Sequence, residues 1–229
     1  MANLLKPDCI NCLCKSSCFH ELSDEELEFI SKRRVEVTYK NKETICKQGA
    51  FAPHIMYLKE GLVKVYLEHQ DRNLILCLEP PGTFLGLESL AQDKIFHYSC
   101  VTYKHSSFCL FEIDAFKELM ERNAKFATRI YGELNERIVR VYDRMLTLTQ
   151  KQVHGRVADI LRCLSERIYK SNEFPMTLTR KDFSEITVMS VETLSRVFKE
   201  LKDEGIVELE GKTVRILDVD KLHQISRTS

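Results

Sequence analysis

Seven apolar residues, Phe126, Ile130, Leu134, Ile138, Val141, Met145 and Leu148, advance by steps of four, four, four, three, four and three. That spacing draws one apolar stripe along a helix of about six turns. Such a stripe has to be covered, either by the chain's own core or by a second copy alongside. The sustained heptad-like rhythm favours the second copy, so residues 121–148 are expected to form a dimerisation helix.

Before this helix the apolar period is two. Val63, Val65 and Leu67 alternate in "GLVKVYLE", and Leu74, Leu76 and Leu78 do so in "NLILCLE". Gly49, Gly61, Pro80 to Gly82, and Gly86 punctuate these runs at the spacing of an antiparallel sandwich or barrel, expected over residues 23–120. Ser23 with Glu26 three residues on marks the start of a short helix ahead of the strands.

Composition excludes several classes. With 229 residues, 44% of them hydrophobic and 30% charged, the chain can bury one large core or two modest ones. Lys6 and Pro7 interrupt the start before any apolar run, and no later window approaches the roughly 18 apolar residues of a spanning helix. A soluble, cytoplasmic protein with no membrane partner is expected. Net charge is zero, so a polyanionic partner has to be argued from local motifs.

The last region, 149–229, carries such a motif. "GRVADILRCLSERI" reads as an amphipathic helix, followed by a loop "YKSNEFPM". Thr179 then caps a helix with Asp182 at its third position and Phe183 and Ile186 on its inner face. Ser190 caps a second helix whose inner face is Leu194, Val197, Phe198 and Leu201, ended by Gly205. Two short helices so close together match a helix-turn-helix, and "IVELEGKTVRIL" adds a hairpin turning at Glu210, Gly211 and Lys212, which makes a winged helix. On the second helix Glu192, Ser195 and Arg196 share the face opposite the apolar one. Arg196 has the donors for guanine O6 and N7, Glu192 can accept from cytosine N4 and brace Arg196, and Ser195 can bond a base or touch thymine. Thr179, Arg180, Lys181, Ser190 and Lys199 are placed to hold phosphates of double-stranded DNA. From Gln150 to Ser229 there are 14 Lys and Arg against 13 Asp and Glu, a net of +1, so non-specific affinity for DNA should be modest.

The stretch "TRKDFSEITVMSVETLSRVFKELKDEGIV" resembles the recognition segment of the Crp/Fnr family of bacterial transcription regulators, and "VETLSR" is most similar to the fumarate and nitrate reduction regulator branch. The likeness runs over nearly the whole chain, with "PPGTFLGLESL" in the place of the family's phosphate cassette. It implies an α+β chain: a cyclic-nucleotide-binding-like antiparallel β-barrel of jelly-roll type, a long dimerisation helix and a C-terminal winged helix. It also implies a regulator rather than an enzyme, a homodimer on a palindrome with TTGA-type half-sites read by Glu192, Ser195 and Arg196, and RNA polymerase as a further partner. The family often has Gly between the two helices where this chain has Val188, and a β-branched residue resists positive φ. A slightly altered turn is therefore expected.

The same resemblance bears on the signal. Cyclic-AMP-binding members use a Glu for the ribose and an Arg for the cyclic phosphate. Here Gly86 is followed by Leu87, Glu88 stands one place later, and "IFHYSC" offers His97 but no Arg. Without a guanidinium a cyclic phosphate loses its strongest contact, so cyclic AMP is not expected as the effector, and Gly86, Glu88 and His97 mark the candidate pocket for another. Near the start, within the Cys-rich segment 1–22, Cys9, Cys12 and Cys18 have the spacing C-x2-C-x5-C, similar to three N-terminal iron-sulfur ligands of the oxygen-sensing branch. The branch's fourth ligand corresponds to Phe111. Cys109, two residues earlier and on the same side of a strand, or Cys14 could complete the set. An iron-sulfur cluster, zinc and metal-free thiols all remain open from ligand chemistry. Cys46, Cys77, Cys100 and Cys163 read as small core residues, and His20 and His54 as surface histidines. An enzyme built on Cys18 and His20 would lack an orienting third group.

Overall fold

The computed structural model describes residues 9–70, 72–90 and 93–228. Residues 1–8 of the Cys-rich segment lie outside the described residues. A 3-10 turn (Ser17–Glu21) leads into helix α1 (Asp24–Lys32), which starts on the expected capping box: Ser23 Oγ accepts from the Glu26 amide at 3.3 Å, and the Glu26 carboxylate accepts from the Ser23 amide at 2.8 Å. Strands β1 (Arg34–Tyr39), β2 (Thr44–Cys46), β3 (His54–Glu60), β4 (Val63–His69), β5 (Arg72–Glu79), β6 (Phe84–Leu85), β7 (Ser99–Thr102) and β8 (Ser106–Glu112) follow. They form two four-stranded sheets, of order β1-β8-β3-β6 and β2-β7-β4-β5. Helices α2 (Ile113–Arg122) and α3 (Ala124–Gln150) come next, and the fold is α+β as expected. By proximity the chain groups into two units, Met1–Val63 with Glu79–Ile138, and Lys64–Leu78 with Val139–Ser229. That grouping assigns the β4–β5 hairpin to the second unit and divides α3 after Ile138, where the sequence suggested boundaries at 120 and 148.

The core of the first unit is aromatic. Phe19 lies 5.3 Å from Phe111 and 5.8 Å from Phe126 between ring centroids, and Phe116 lies 5.3 Å from Phe126. Each such ring contributes about 1.5–3 kcal/mol by leaving water, so the 3-10 turn and the start of α3 are pinned to the sheet by the same cluster. The turn between β3 and β4 depends on Gly61: its φ is 113°, and a Cβ there would meet Ser106 Oγ at 2.0 Å. Only glycine fits that combination of conformation and close approach. The long helix begins at Ala124 because Asn123 breaks away from helical geometry, and its Oδ1 accepts from the Phe126 amide at 3.0 Å.

The second unit contains α4 (Val153–Arg162), which widens into a π-helical turn (Cys163–Tyr169). Helices α5 (Arg180–Thr187) and α6 (Val191–Asp203) are the expected pair, and β10 (Val207–Glu210) with β11 (Thr213–Ile216) is the expected hairpin. The reading of "YKSNEFPM" as a loop needs correction, since Glu173–Pro175 forms β9 and pairs with β11. Burial explains it: Phe174 is 2% exposed, stacks on Tyr169 at 5.4 Å and lies opposite Val214 in register. Pro175 is tolerated because β9 is an edge strand. Helix α7 (Val219–Thr228) ends the described chain.

Candidate nucleic-acid interface and sensor sites

Thr179 starts α5 with both halves of a capping box. Its Oγ1 accepts from the Asp182 amide at 3.1 Å, and Asp182 Oδ2 accepts from the Thr179 amide at 3.0 Å. Lys64 Nζ lies 2.8 Å from Asp182 Oδ1. Burial works against ionisation of this carboxyl, but the hydrogen bonds from Lys64 and Thr179 outweigh it and hold Asp182 below its usual range. Phe183 and Phe198 meet edge-on at 5.3 Å, and Leu194, Val197 and Leu201 are buried beneath α6. Packing of that face leaves Glu192, Arg196 and Lys199 exposed on the other, with Ser195 half-buried beside them.

Several details depart from the sequence reading. Arg196 Nε lies 3.8 Å from Glu200 Oε1, so the neighbouring carboxylate is Glu200, one turn C-terminal, and not Glu192. Glu192 turns back on the start of α6, where its own backbone amide and the Ser190 hydroxyl hold its carboxyl below the usual range. Ser190 Oγ accepts from the Thr193 amide at 3.1 Å, which makes it the N-cap. Arg180 Nη1 donates to Ser195 Oγ at 3.0 Å and ties the two helices together, while Lys181 lies 3.8 Å from Glu185.

The expected change of turn geometry is not found. Val188 adopts φ 51°, ψ 54°, the left-handed conformation a glycine would take. For a β-branched residue this costs about 1–2 kcal/mol. Two arginines offset it from the carbonyl side: Arg156 Nη1 donates to Thr187 O at 3.2 Å and to Val188 O at 3.3 Å, and Arg144 Nη2 donates to Ile186 O. Cations at the C-terminal end of α5 also complement its dipole. Nothing in the local sequence marks these arginines, which lie 32 and 42 residues upstream of their acceptors at Val188 and Ile186.

The apolar stripe of α3 divides. Phe126 and Ile130 are fully buried in the chain's own core, and Leu134 packs partly against it. These three, expected on the dimer face, serve the monomer. Leu148 is half-buried. Ile138, Val141 and Met145 are 46%, 45% and 60% exposed, and they continue with Tyr131 and Tyr142 at 59% and 63%. The two tyrosines escaped the sequence reading, although Tyr131, Ile138 and Met145 stand seven residues apart.

In the candidate effector pocket the structure brings Gly86 and Glu88 together but not His97. The Gly86 amide donates to Tyr98 Oη at 2.7 Å, and Tyr98 Oη lies 3.4 Å from Glu88 Oε2. Arg137 Nη1 donates to Glu88 Oε1 at 2.6 Å, and its Nη2 donates to Phe84 O. Burial, with Glu88 beside it, pushes the Tyr98 phenol well above its ordinary range. His97 instead faces outward and pairs with Asp93 at 3.1 Å. Arg137, a charge directly before Ile138 of the apolar stripe on α3, was the available signal for this arrangement.

Cys9, Cys18 and Cys109 belong to one buried cluster, while Cys12 is half-buried and Cys14 exposed. Arg34 Nη1 donates to Cys109 Sγ at 3.1 Å. Burial, with Cys14, Cys12, Cys109 and Cys18 around it, pushes the Tyr57 phenol up to about 12. Cys18 Sγ lies 3.9 Å from Glu133 of α3, and burial is the chief reason its thiol is raised. Among the described residues no three His, Cys, Asp or Glu side chains converge closely enough to hold a metal ion. Thiols are the donor type an iron-sulfur cluster takes, but the segment bearing Cys12 and Cys14 would have to close on Cys109 or on Cys9 and Cys18 to hold one. Of the other cysteines, Cys46 and Cys100 are buried as expected, whereas Cys77 and Cys163 are half-buried at a cavity wall. His20 is exposed and His54 half-buried. No helix of the described residues is long and apolar enough to cross a membrane.

Residues 36–123 match a cyclic nucleotide-binding domain and residues 155–225 a Crp-like helix-turn-helix domain. The anaerobic regulatory protein of Haemophilus influenzae is 23% identical over 97% of this chain and 88% of its own length. The transcriptional activator protein FnrA of Stutzerimonas stutzeri is 24% identical over 78% of this chain and 75% of its own. The structure of FixK2 from Bradyrhizobium japonicum superposes with a TM-score of 0.78 at 20% identity, covering 86% of this chain and 98% of that one. A cyclic-nucleotide-binding-type domain followed by a long helix and a Crp-like helix-turn-helix defines a DNA-binding transcription regulator, not an enzyme. The two domain matches together span most of the chain and make it a regulator of Crp/Fnr type.

Proposed function

We propose that this regulator binds DNA as a homodimer on a palindrome with TTGA-like half-sites and responds to oxygen or redox state through its cysteines. The observation that carries the reading is the exposed face of α6, where Glu192 and Arg196 stand clear of the apolar side. In this reading Arg196, Glu192 and Ser195 contact base edges, and Thr179, Arg180, Lys181, Ser190 and Lys199 contact phosphates. The exposed Tyr131, Ile138, Tyr142 and Met145 pair with the same residues of a second copy, which spaces two recognition helices about one DNA turn apart. RNA polymerase is the further partner and the cytoplasm the compartment. The name of one relative, an anaerobic regulatory protein, supports an oxygen-linked role.

Cys9, Cys12 and Cys18, with Cys109 or Cys14, would hold the cluster. Bound there, it would supply oxygen-sensitive redox chemistry. The chain's own part is to hold Cys109 beside Arg34, whose charge opposes in part the burial that raises this thiol, and to set Cys18 against Glu133 on α3. A second reading has metal-free or zinc-bound cysteines and a small ligand in the barrel. The separation of the thiols in this conformation supports the metal-free form of this reading. Strictly anaerobic purification followed by iron, sulfide and zinc analysis decides between them. Iron with acid-labile sulfide supports the cluster, stoichiometric zinc or neither metal supports the second reading, and absence of a footprint on any palindrome sinks the DNA assignment.

A further inference from the structure

We propose that a cavity in the second unit, walled by α3, α4, the π-helical turn and the end of β5, binds a small molecule carrying an oxyanion, carboxylate or phosphate, with Arg144 as its anchor. The cavity has a volume of about 360 Å³, enough for a metabolite of modest size. Arg140, Arg144, Arg162 and Arg167 all line it, and Leu76 and Ile160 supply an apolar wall.

Arg144 is the reason to assign a ligand. Its Nη2 is used on the carbonyls of Ile75 and Ile186, but Nε and Nη1 are buried without a hydrogen-bond partner among the described residues. Buried donors of a guanidinium are seldom left so, because each costs the desolvation it does not recover. The nearby carboxylates are committed elsewhere. Asp159 binds Lys151 at 2.8 Å, Thr147 at 2.8 Å and Ser226 at 2.6 Å, and Glu166 binds Arg162 at 3.1 Å and His223 at 2.7 Å. Asp143 is exposed. Burial accordingly pushes Arg144 down to about 10, with Cys77, Asp159 and Cys163 only partly opposing the shift. An oxyanion accepts from two guanidinium nitrogens at once and also balances the buried charge, and a neutral acceptor supplies only the first of these.

The site is also placed to matter for DNA binding. The same guanidinium that would hold the ligand holds Ile186 O at the end of α5, next to the strained Val188 turn. The π-helical turn, a feature frequent at functional sites, is what brings Cys163, Glu166 and Arg167 to the cavity. This inference does not depend on the cysteine segment or on the base-reading assignment.

The test is calorimetric titration of the full chain with inorganic phosphate, adenosine monophosphate and succinate separately. Saturable binding of at least one is expected, and which one binds distinguishes phosphate from carboxylate ligands. Arg144→Gln removes the anchor and Leu76→Trp fills the wall, and each is expected to weaken binding at least tenfold with the circular dichroism spectrum unchanged. Should either variant fail to fold, the wild-type chain still decides: a saturating ligand is expected to slow alkylation of Cys163 at least threefold, read by peptide mass spectrometry. No saturable binding up to about 10 mM, or binding that neither variant weakens and that leaves Cys163 equally reactive, overturns the proposal.

Discussion

Arg137 and Glu88 form an ion pair of 2.6 Å between α3 and the 3-10 turn (Leu87–Leu90) that follows β6, with side chains 18% and 28% exposed. A carboxylate at the position expected to meet an effector is instead held by the chain's own helix. Arg137→Met should therefore destabilise the protein by about 2–4 kcal/mol, because it leaves Glu88 charged, largely buried and unpaired. Urea unfolding checks the magnitude, and Glu88→Gln combined with Arg137→Met should recover part of the loss.

Val188 holds a left-handed conformation against its own side-chain preference. Val188→Gly is expected to raise stability by about 1 kcal/mol while leaving operator affinity in place. A lower melting temperature would show that the 53% exposed side chain makes a contact worth more than the strain.

Asp182 titrates below the ordinary carboxylate range in the folded chain. Its contribution is therefore full above the unfolded value, about 4, and is lost as pH falls through the depressed folded one. Asp182→Asn should cost about 1–2 kcal/mol at neutral pH and flatten the stability profile below pH about 4. An identical acid limb in the variant would remove Asp182 from that account.

The two parts of the α3 stripe should respond differently. Met145→Glu or Tyr142→Glu should shift sedimentation toward a monomer with the melting temperature of the monomer kept, since both side chains are exposed. Phe126→Ala should unfold the sensor core instead, at a cost of about 3–5 kcal/mol.

On α6, Arg196→Ala is expected to cost about 1–3 kcal/mol and to flatten preference at one base pair. Lys199→Ala should weaken all sequences alike and reduce the salt slope by about one. Gel-shift titrations on an operator series at two salt concentrations separate these effects, and a change of base preference in Lys199→Ala would give that residue a reading role.

Much of this was legible in the chain itself. Period-two runs, a heptad-like stripe and two capped helices are local patterns, and local patterns fix element type and the inward face. The α+β architecture, the capping boxes at Ser23 and Thr179, the wing turn at Gly211 and the exposed face of α6 all follow from them. Tertiary structure decided what depends on residues far apart in sequence. Phe126 and Ile130 turn inward because Phe19 and Phe116 arrive there, and Phe174 becomes a strand residue because Val214 lies opposite. His97 faces outward while Arg137, 49 residues beyond Glu88, takes its place. Val188 can hold a glycine's conformation because Arg156 and Arg144 reach the last carbonyls of α5, and no window around the turn contains that information. Backbone propensity is a property of neighbours in sequence, whereas a buried charge finds its partner only when the chain has folded.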